Sequence, residues 1–495
     1  MRLILAAAAA ALVAGVAVAQ EAADPFGWLE DIGSARSTEW VKGQNQKSLS
    51  VLTGDKRYET FRGEALAIFT AKDRIPAPAF RAGGVDNFWQ DEAHRRGLWR
   101  HTTLESYANA SPQWTTLLDV DALAKAEGKD WYFKGAECLQ PEERTCLVHL
   151  SAGGKDAVNL REFDTVTGKF VDGGFDLPEA KQSAEWIDKD TLIVGTNWGP
   201  GSLTVSGYPY VLKIVKRGQP LSAAKEIYRG DPKDVSATAF GLRDEDGRLQ
   251  AVFIRRALSS LEGELYLLDG VKPVRLPLPN KSDIQTLIKG QMVFTIEEDW
   301  NGFKSGDLLA YDLAALKANP ATAKAKLIAR PSSRQSFEQV AATRTHLIVT
   351  GLDDVMGFAD IYSLRKGRWT SKRLPLPKAV SVGVSDASKS SDRLFLSSQG
   401  LLEPTALWLV DADKGSLTKA KVMPARFDAS KMVVEQFWAK SSDGARIPYF
   451  VVRPKGRALD GTIPTLMYGY GGFQVSKPSV YIPRSEEHTS ELQSH

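Results

Sequence analysis

Apolar residues recur at helical spacing in one stretch near the N-terminus of the chain. Over Ser37–Phe69 they return every three or four residues among charged ones, which predicts helices. Gly43 and Gly54 predict breaks within this stretch, and Pro76 and Pro78 end it. We therefore expect a short helical segment before the main body of the protein.

From about residue 80 to 425, short β-branched and aromatic runs alternate with polar turns. One unit recurs seven times: an apolar strand, often ending in Asp, and then a polar turn that usually contains Gly. Its copies are Thr116–Asp119, Arg161–Asp164, Tyr210–Lys213, Leu265–Gly270, Leu308–Asp312, Ile361–Leu364 and Leu407–Asp411. The mean spacing of about 49 residues leaves room for three more strands per unit, such as Thr191–Gly195 and His346–Thr350.

Four strands in each 40 to 50 residues is the period of a β-propeller blade. A row of β-sandwich domains would also contain only strands. The even period over about 300 residues favours a closed ring instead. The pattern therefore predicts a seven-bladed β-propeller.

The pattern of apolar and polar residues changes again near Phe427. Val434–Ala439 and Ile447–Val452 predict two strands joined by a turn at Ser442–Gly444. A further apolar run containing Ile463, Leu466 and Met467 predicts a short buried strand, and a glycine-rich turn follows it at Tyr468–Phe473. A glycine-rich turn after a buried third strand contributes to the oxyanion hole in α/β-hydrolases, although it is also an ordinary tight turn.

Composition narrows the functional classes. The chain has 495 residues, of which 43% are hydrophobic and 25% charged, with a net charge of +3 and no long basic run. Binding to nucleic acid or to an anionic membrane surface is therefore not indicated. The sequence contains no phosphate loop, dinucleotide fingerprint or metal-ligand cluster, so we expect no cofactor and no metal.

The first nineteen residues have the three parts of a secretory signal peptide. Arg2 precedes an alanine-rich apolar run of about 14 residues, from Leu3 to Val16, and Ala17-Val18-Ala19 follows it. This run is shorter than the ~20 residues that a membrane-spanning helix needs, although an uncleaved anchor is the alternative. We expect export, to a bacterial periplasm, and no membrane attachment after cleavage.

The two cysteines lie on either side of a polar, proline-containing stretch. Apolar residues flank both Cys138 and Cys146, which predicts a hairpin with one cysteine on each arm. In an oxidising compartment they are candidates for a disulfide, which would contribute roughly 2.5 kcal/mol by closing a short loop.

A serine hydrolase needs a nucleophile within G-x-S-x-G, followed by an acid and a histidine. The sequence contains no such motif; the nearest match, Gly383–Ala387, ends in Ala and falls within a predicted blade. Four of the six histidines precede or fall within the predicted propeller, where structural roles are common.

Four motifs nevertheless resemble the prolyl oligopeptidase family of serine peptidases, in its exported bacterial branch. They are Asp24–Asp31 with Gln44-Asn45, Gly97–Arg100, Ser442–Tyr449 and Tyr468–Phe473. The resemblance runs from Asp24 to about Pro483. The first and last motifs are specific when they occur together.

The resemblance implies a domain plan and two site residues. It implies an N-terminal helical segment at 20–75 that packs on the hydrolase domain, a propeller at 76–427 that limits access, and the start of an α/β-hydrolase domain at 428–483. It also implies that the Tyr470 hydroxyl donates to the oxyanion and that Phe473 helps to wall a proline pocket. The implied substrates are short proline-containing peptides, and the implied state is a monomer.

The last twelve residues depart from the family. Residues 484–495 contain one Leu and no aromatic residue, and they look like a translated sequencing adapter, so we treat them as non-native. His488 is then not the family's catalytic histidine. We expect a chain truncated before the Ser, Asp and His of the triad, and therefore inactive. The alternative is an exported propeller that binds a ligand or partner without catalysis.

Overall fold

We describe a computed structural model of the chain, covering residues 24–378, 380–470 and 476–481. The chain divides after Ala71 into two compact units, which we describe separately. The predicted signal peptide at 1–19, Phe473 and the tail at 484–495 lie outside the described residues. No described helix is long and apolar enough to cross a membrane.

The first unit is helical. It contains a 3-10 helix at Gly27–Glu30 and the helices α1, Ala35–Leu52, and α2, Tyr58–Phe69. Ser34 caps α1 by accepting a hydrogen bond from the Ser37 backbone N–H at 3.1 Å. The predicted break at Gly54 is present, but the predicted break at Gly43 is wrong. A single glycine inside a helix costs only about 1 kcal/mol, which the rest of α1 offsets.

The second unit contains seven antiparallel sheets, which we call blades, six with four strands and one with five, each formed by one contiguous segment of the described chain. Blade 1 is β1 Ala79–Arg81, β2 Gly84–Trp89, β3 Leu98–Thr103 and β4 Thr115–Asp119. Blade 2 is β5 Trp131–Cys138, β6 Thr145–Ala152 and β7 Val158–Asp164, with β8 Lys169–Phe170 and β9 Asp176–Ala180 both paired to β7. Blade 3 is β10 Ser183–Asp188, β11 Thr191–Gly195, β12 Val211–Lys216 and β13 Lys225–Arg229.

The remaining blades follow the same plan. Blade 4 is β14 Ser236–Arg243, β15 Leu249–Ala257, β16 Gly263–Asp269 and β17 Lys272–Arg275. Blade 5 is β18 Ser282–Ile288, β19 Gln291–Ile296, β20 Leu308–Asp312 and β21 Lys326–Ala329. Blade 6 is β22 Gln335–Ala342, β23 His346–Asp353, β24 Met356–Arg365 and β25 Arg368–Arg373. Blade 7 is β26 Val380–Ala387, β27 Arg393–Gly400, β28 Ala406–Asp411 and β29 Ser416–Val422.

Short helices and one hairpin complete the unit. The helices are α3 Leu104–Ala108, α4 Val120–Glu127, a 3-10 turn at Leu221–Ala223 and α5 Leu313–Ala318. The hairpin pairs β30, Met432–Lys440, with β31, Arg446–Pro454, as the sequence predicts. The seven-bladed propeller is confirmed. The predicted buried strand before Tyr468 is wrong: residues 463–470 form no strand, and Met467 is 94% exposed. Among the described residues no strand lies alongside this run to pair with its backbone.

Six of the seven predicted repeat copies are third strands of blades, but the first is not. Thr116–Asp119 lies in β4, and the third strand of blade 1 is β3. The reason is chemical: β3 carries Arg100 and His101, and His101 binds the buried Asp86 at 2.6 Å, so its sequence lacks the apolar pattern of the other third strands.

Buried apolar clusters lie between all seven pairs of neighbouring blades. Each sheet therefore buries both faces. In β11, Leu192 packs toward blade 2 and the next residue, Ile193, packs toward blade 4. This explains the continuous apolar runs of second strands such as β11 and β23, in which apolar residues do not alternate with polar ones.

The first strands of the blades line the axis of the ring. They contact one another in order, from β10 through β14, β18 and β22 to β26, and β26 contacts β1. Because each blade is an antiparallel meander, the turns between first and second strands, which we call first turns, lie at one end of the axis. The turns between second and third strands, the second turns, lie at the other end.

Side chains rather than strand pairing close the ring between blades 7 and 1. Among the described strands, none of blade 1 pairs with one of blade 7. Phe395 is fully buried there, stacked on Phe80 at 4.9 Å and edge-on to Tyr107 at 5.2 Å. The backbone N–H of Phe80 donates to the Asp386 carboxylate instead of to a neighbouring strand. The closure thus combines one apolar cluster with hydrogen bonds that involve side chains.

Phe395→Ala should therefore destabilise the propeller by about 3–5 kcal/mol, because it leaves a cavity at a seam without strand pairing. Urea unfolding followed by tryptophan fluorescence measures this. Val166→Ala, at a residue that is 72% exposed, serves as the control and should change stability by less than about 0.5 kcal/mol. A loss at Phe395 no larger than that of the control would contradict closure by this cluster.

Candidate active-site segment and axial channel

Tyr470 lies in an irregular, exposed segment. Its side chain is 56% exposed, and the Lys477 ammonium lies 4.7 Å from the centre of its ring and 5.9 Å from that of Tyr468. A phenol that faces solvent can donate a hydrogen bond to an incoming oxyanion. Phe473, the other predicted site residue, lies outside the described residues, so the structure does not place it beside Tyr470.

The end of this segment is fixed to blade 7. Tyr481 stacks on Phe427 at 5.1 Å with the rings nearly parallel, and its hydroxyl accepts a hydrogen bond from the Arg426 backbone N–H at 2.8 Å. Its own N–H donates to Gln399 Oε1 at 3.4 Å. Gln399 lies where β27 approaches the second turn of blade 7, so the segment is attached at the second-turn end of the axis.

The β30–β31 hairpin is attached at the same end. Gln436 Nε2 donates to the carbonyl oxygen of Asp354 in the second turn of blade 6 at 2.5 Å. That turn holds Asp354 at φ 48° and Val355 at φ 66°, and a β-branched residue rarely adopts a positive φ. Both ends of the stretch from 432 to 481 therefore attach to second turns, and the first turns face the opposite way.

The four histidines of the described chain have structural surroundings. His94 contacts Asp91 at 3.0 Å, His101 contacts Asp86 at 2.6 Å, and His346 contacts Asp392 at 3.3 Å. Within the described ranges none of these rings hydrogen-bonds to a serine hydroxyl, as a nucleophile–base pair would require. The expectation of structural histidines in the propeller agrees with these contacts.

Carboxylates project from the first strands of neighbouring blades. Glu137 on β5 and Glu185 on β10 repel each other, and the surrounding protein disfavours their charged forms. The Glu137 side chain is 54% exposed, yet the protein that surrounds it, with a contribution from Glu185, raises its pKa to about 7. Burial also raises the pKa of Glu185, although Arg243 on β14 pairs with it at 2.7 Å. The space between the first strands, which we call the axial channel, therefore carries one carboxyl group, Glu137, whose charge changes near neutral pH.

His149 lies behind Glu137 on β6. Its side chain is 17% exposed, and its Nε2 has no hydrogen-bond partner among the described residues. Glu137 Oε1 is 3.9 Å away, too far to stabilise a protonated ring by a hydrogen bond. Burial lowers the pKa of His149 to about 4, so the ring is neutral at physiological pH.

The structure joins the two cysteines. Cys138 on β5 and Cys146 on β6 are directly paired across the hairpin, with an S–S distance of 1.99 Å. The hairpin of the prediction is present, and the disulfide spans the base of the first turn of blade 2. Among the described residues no group of three or more His, Cys, Asp or Glu side chains is arranged to hold a metal ion.

Pattern reasoning missed the charged groups of the channel. Glu185 lies in a strand outside the recurring unit, and Glu137 lies on the predicted hairpin arm that carries Cys138, where no charge was singled out. Bulges leave Lys134, Gln285 and Glu338 without direct partners in three first strands, so the strict alternation of buried and exposed residues fails in these strands. A polar residue that breaks the alternation of an inner strand could have indicated an axial position.

Comparison with known proteins gives the family. The model of the prolyl oligopeptidase N-terminal β-propeller domain matches residues 12–423. The chain belongs to the prolyl oligopeptidase family. It is 43% identical over 472 residues to an uncharacterized peptidase of Sinorhizobium fredii, covering 93% of this chain and 65% of that protein.

Other members of the prolyl oligopeptidase family are more distant. A prolyl endopeptidase of Elizabethkingia miricola is 24% identical over 471 residues, covering 92% of this chain and 62% of the relative. The structure of a post-proline cleaving enzyme from Rickettsia typhi matches with a TM-score of 0.85 and 28% identity, covering 93% of this chain and 69% of that one. The chain thus spans less than two thirds of the length of the two curated relatives.

Neutral His149 makes the propeller sensitive to acid. Between pH 6.5 and about 4 the unfolded chain binds a proton that the folded chain does not, so the stability contributed by the neutral ring is present above pH 6.5 and falls as the pH falls. His149→Gln should remove this loss of stability at low pH. We expect the variant to gain about 2 kcal/mol relative to the native chain between pH 7.5 and pH 5.

Urea unfolding at the two pH values measures the difference. His94→Gln is the matched control, because His94 is more exposed, and we expect no comparable relative gain. If the free energies of unfolding of His149→Gln and the native chain differ by the same amount at both pH values, the ring of His149 is not buried in its neutral form.

Proposed function

We propose that this chain supplies the propeller and the oxyanion-side segment of a serine peptidase that cleaves short peptides after proline. The observation that carries the proposal is the likeness to the Rickettsia typhi enzyme, which extends over 93% of this chain at 28% identity. The motif at Tyr468–Phe473 supports it, because a phenol and an aromatic wall suit a developing oxyanion and a rigid apolar ring.

In this proposal Tyr470 is the oxyanion donor. Its side chain is 56% exposed, which is compatible with a hydroxyl that donates to an incoming carbonyl oxygen. Phe473 lines the pocket for the proline ring. The propeller limits access, so that only short peptides reach the scissile bond. The proposal also requires a nucleophile, an acid and a base, which the motifs of this sequence do not supply.

We also infer that the 495-residue chain alone does not hydrolyse peptides, because its sequence contains no G-x-S-x-G. A chromogenic prolyl-peptide assay on the chain as given should show no turnover above background. Resequencing the gene tests whether a reading frame through Pro483 continues into such a motif. Turnover by the chain itself would contradict the inference, and a full-length gene without the motif would favour a propeller that only binds ligands.

A test of the Tyr470 role uses a longer chain that carries the nucleophile. Tyr470→Phe should lower kcat about 100-fold with a smaller change in KM, because the lost donor acts in the transition state. Tyr468→Phe is the matched control, since both rings lie under Lys477. Equal effects of the two substitutions would remove Tyr470 from its proposed role.

We further propose that the protein is exported. The Cys138–Cys146 disulfide supports this, because disulfides persist in oxidising compartments and are rare in the cytosol. Expression in a bacterium with a periplasm should yield a mature chain that starts near residue 20 and contains no free thiol. Intact mass under non-reducing conditions measures both properties. A chain that retains Met1–Ala19 and two free thiols would contradict export.

A further inference from the structure

First turns of blades that are not neighbours touch one another. In the first turn of blade 6, Arg344 reaches the first turn of blade 4: its Nη2 pairs with Asp246 Oδ1 at 2.8 Å and its Nη1 donates to the Glu245 carbonyl oxygen at 3.0 Å. Arg344 is itself held by blade 7, because its backbone N–H donates to the Ser391 carbonyl oxygen at 3.1 Å. The guanidinium thus links three blades.

A second link joins blades 7 and 5. The Lys389 ammonium, in the first turn of blade 7, donates to Thr286 Oγ1 at 2.6 Å and to the Leu287 carbonyl oxygen at 3.1 Å, both near the end of β18. Lys389 has no carboxylate in direct contact among the described residues. Burial lowers its pKa to about 8, and only the more distant Glu245 opposes this. Surrounding protein therefore holds this amine away from bulk water.

A third link joins blades 2 and 4. The first turn of blade 2, residues 139–144, brings Pro141 against Gly247 in the first turn of blade 4. A Cβ atom on Gly247 would lie 2.9 Å from Pro141 Cα, and its φ is 77°, so only glycine fits there without strain. The Cys138–Cys146 disulfide ties the base of this turn, and Glu143 at its end accepts a hydrogen bond from the Ala82 backbone N–H in blade 1.

Blades two positions apart in a seven-bladed ring meet only if their turns reach across the end of the axis. Links between blades 4 and 6, 5 and 7, and 2 and 4 all lie at the first-turn end. We propose that the disulfide-tied turn 139–144, Arg344 and Lys389 form a latch that closes this end of the axial channel to peptides. That the excluded molecules are peptides rests on the proposed function, whereas the closure of this end rests on the contacts between the turns.

Acylation of Lys389 tests the latch without measuring peptidase activity. In the oxidised chain, Lys389 should react with acetic anhydride at least about tenfold more slowly than Lys366, which lies in an exposed turn of blade 6. A lowered pKa alone would make an amine react faster, so slow acylation reports closure. Peptide mass spectrometry measures both rates in one sample.

Arg344→Gln should raise the Lys389 rate about tenfold, because it removes a charge-assisted contact across the axis. Reduction of the disulfide should raise it as well. Arg334→Gln is the matched control: it removes an arginine from the same blade that pairs with Asp354 at the second turn, and it should change nothing. If Arg344→Gln does not fold, Asp246→Asn removes the other partner of the same contact.

Two results would overturn the proposal. One is a Lys389 that reacts as fast as Lys366 in the oxidised native chain. The other is a slow Lys389 whose rate changes neither on breaking the Arg344–Asp246 contact nor on reduction, since its protection would then be local and no latch would exist. Neither result would contradict the proposed peptidase function. Conversely, a longer chain that does not cleave prolyl peptides would contradict the proposed function but not the latch.

Discussion

The contact of Phe395 with Phe80 and Tyr107 is the interaction on which the ring depends. Every other blade boundary lies within one continuous stretch of chain, whereas this one joins segments about 300 residues apart. Because no strand of blade 1 pairs with blade 7 among the described residues, apolar burial must offset the loop entropy of closing the ring there. The position of every first strand around the axis follows from that closure.

Closure also determines the chemistry of the channel. Once the first strands face one axis, side chains that would be solvated on an open sheet crowd together. This raises the pKa values of Glu137 and Glu185, and Lys389 loses part of its hydration. The same crowding lets Arg344 reach blade 4. The two ends of the axis consequently differ: the first turns interlock, and the second turns carry the hairpin and the segment that ends at Tyr481.

Pattern reasoning succeeded where local sequence controls structure. The seven-fold period was correct because each blade buries both faces of its sheet and must repeat the same apolar runs. It failed at Thr116–Asp119, because buried pairing of His101 with Asp86 made the true third strand polar. It failed again at Ile463–Met467, since an apolar run becomes a strand only where another strand offers hydrogen bonds. The break predicted at Gly43 is absent, because the free energy that one glycine costs is smaller than what the rest of the helix contributes.

The sequence by itself determined the class of fold, the strand-rich middle, the β30–β31 hairpin, the position of the cysteines on facing arms and the family motifs around Tyr470. Periodicity and turn chemistry are local properties, and they can be read along the chain. Only the tertiary structure decided which turns meet across the axis, which charges lose water, and that Tyr481 and the β30–β31 hairpin attach at the second-turn end. Contacts such as Arg344–Asp246 and Lys389–Leu287 join residues about 100 positions apart. No local pattern encodes them, because they exist only after the ring has closed.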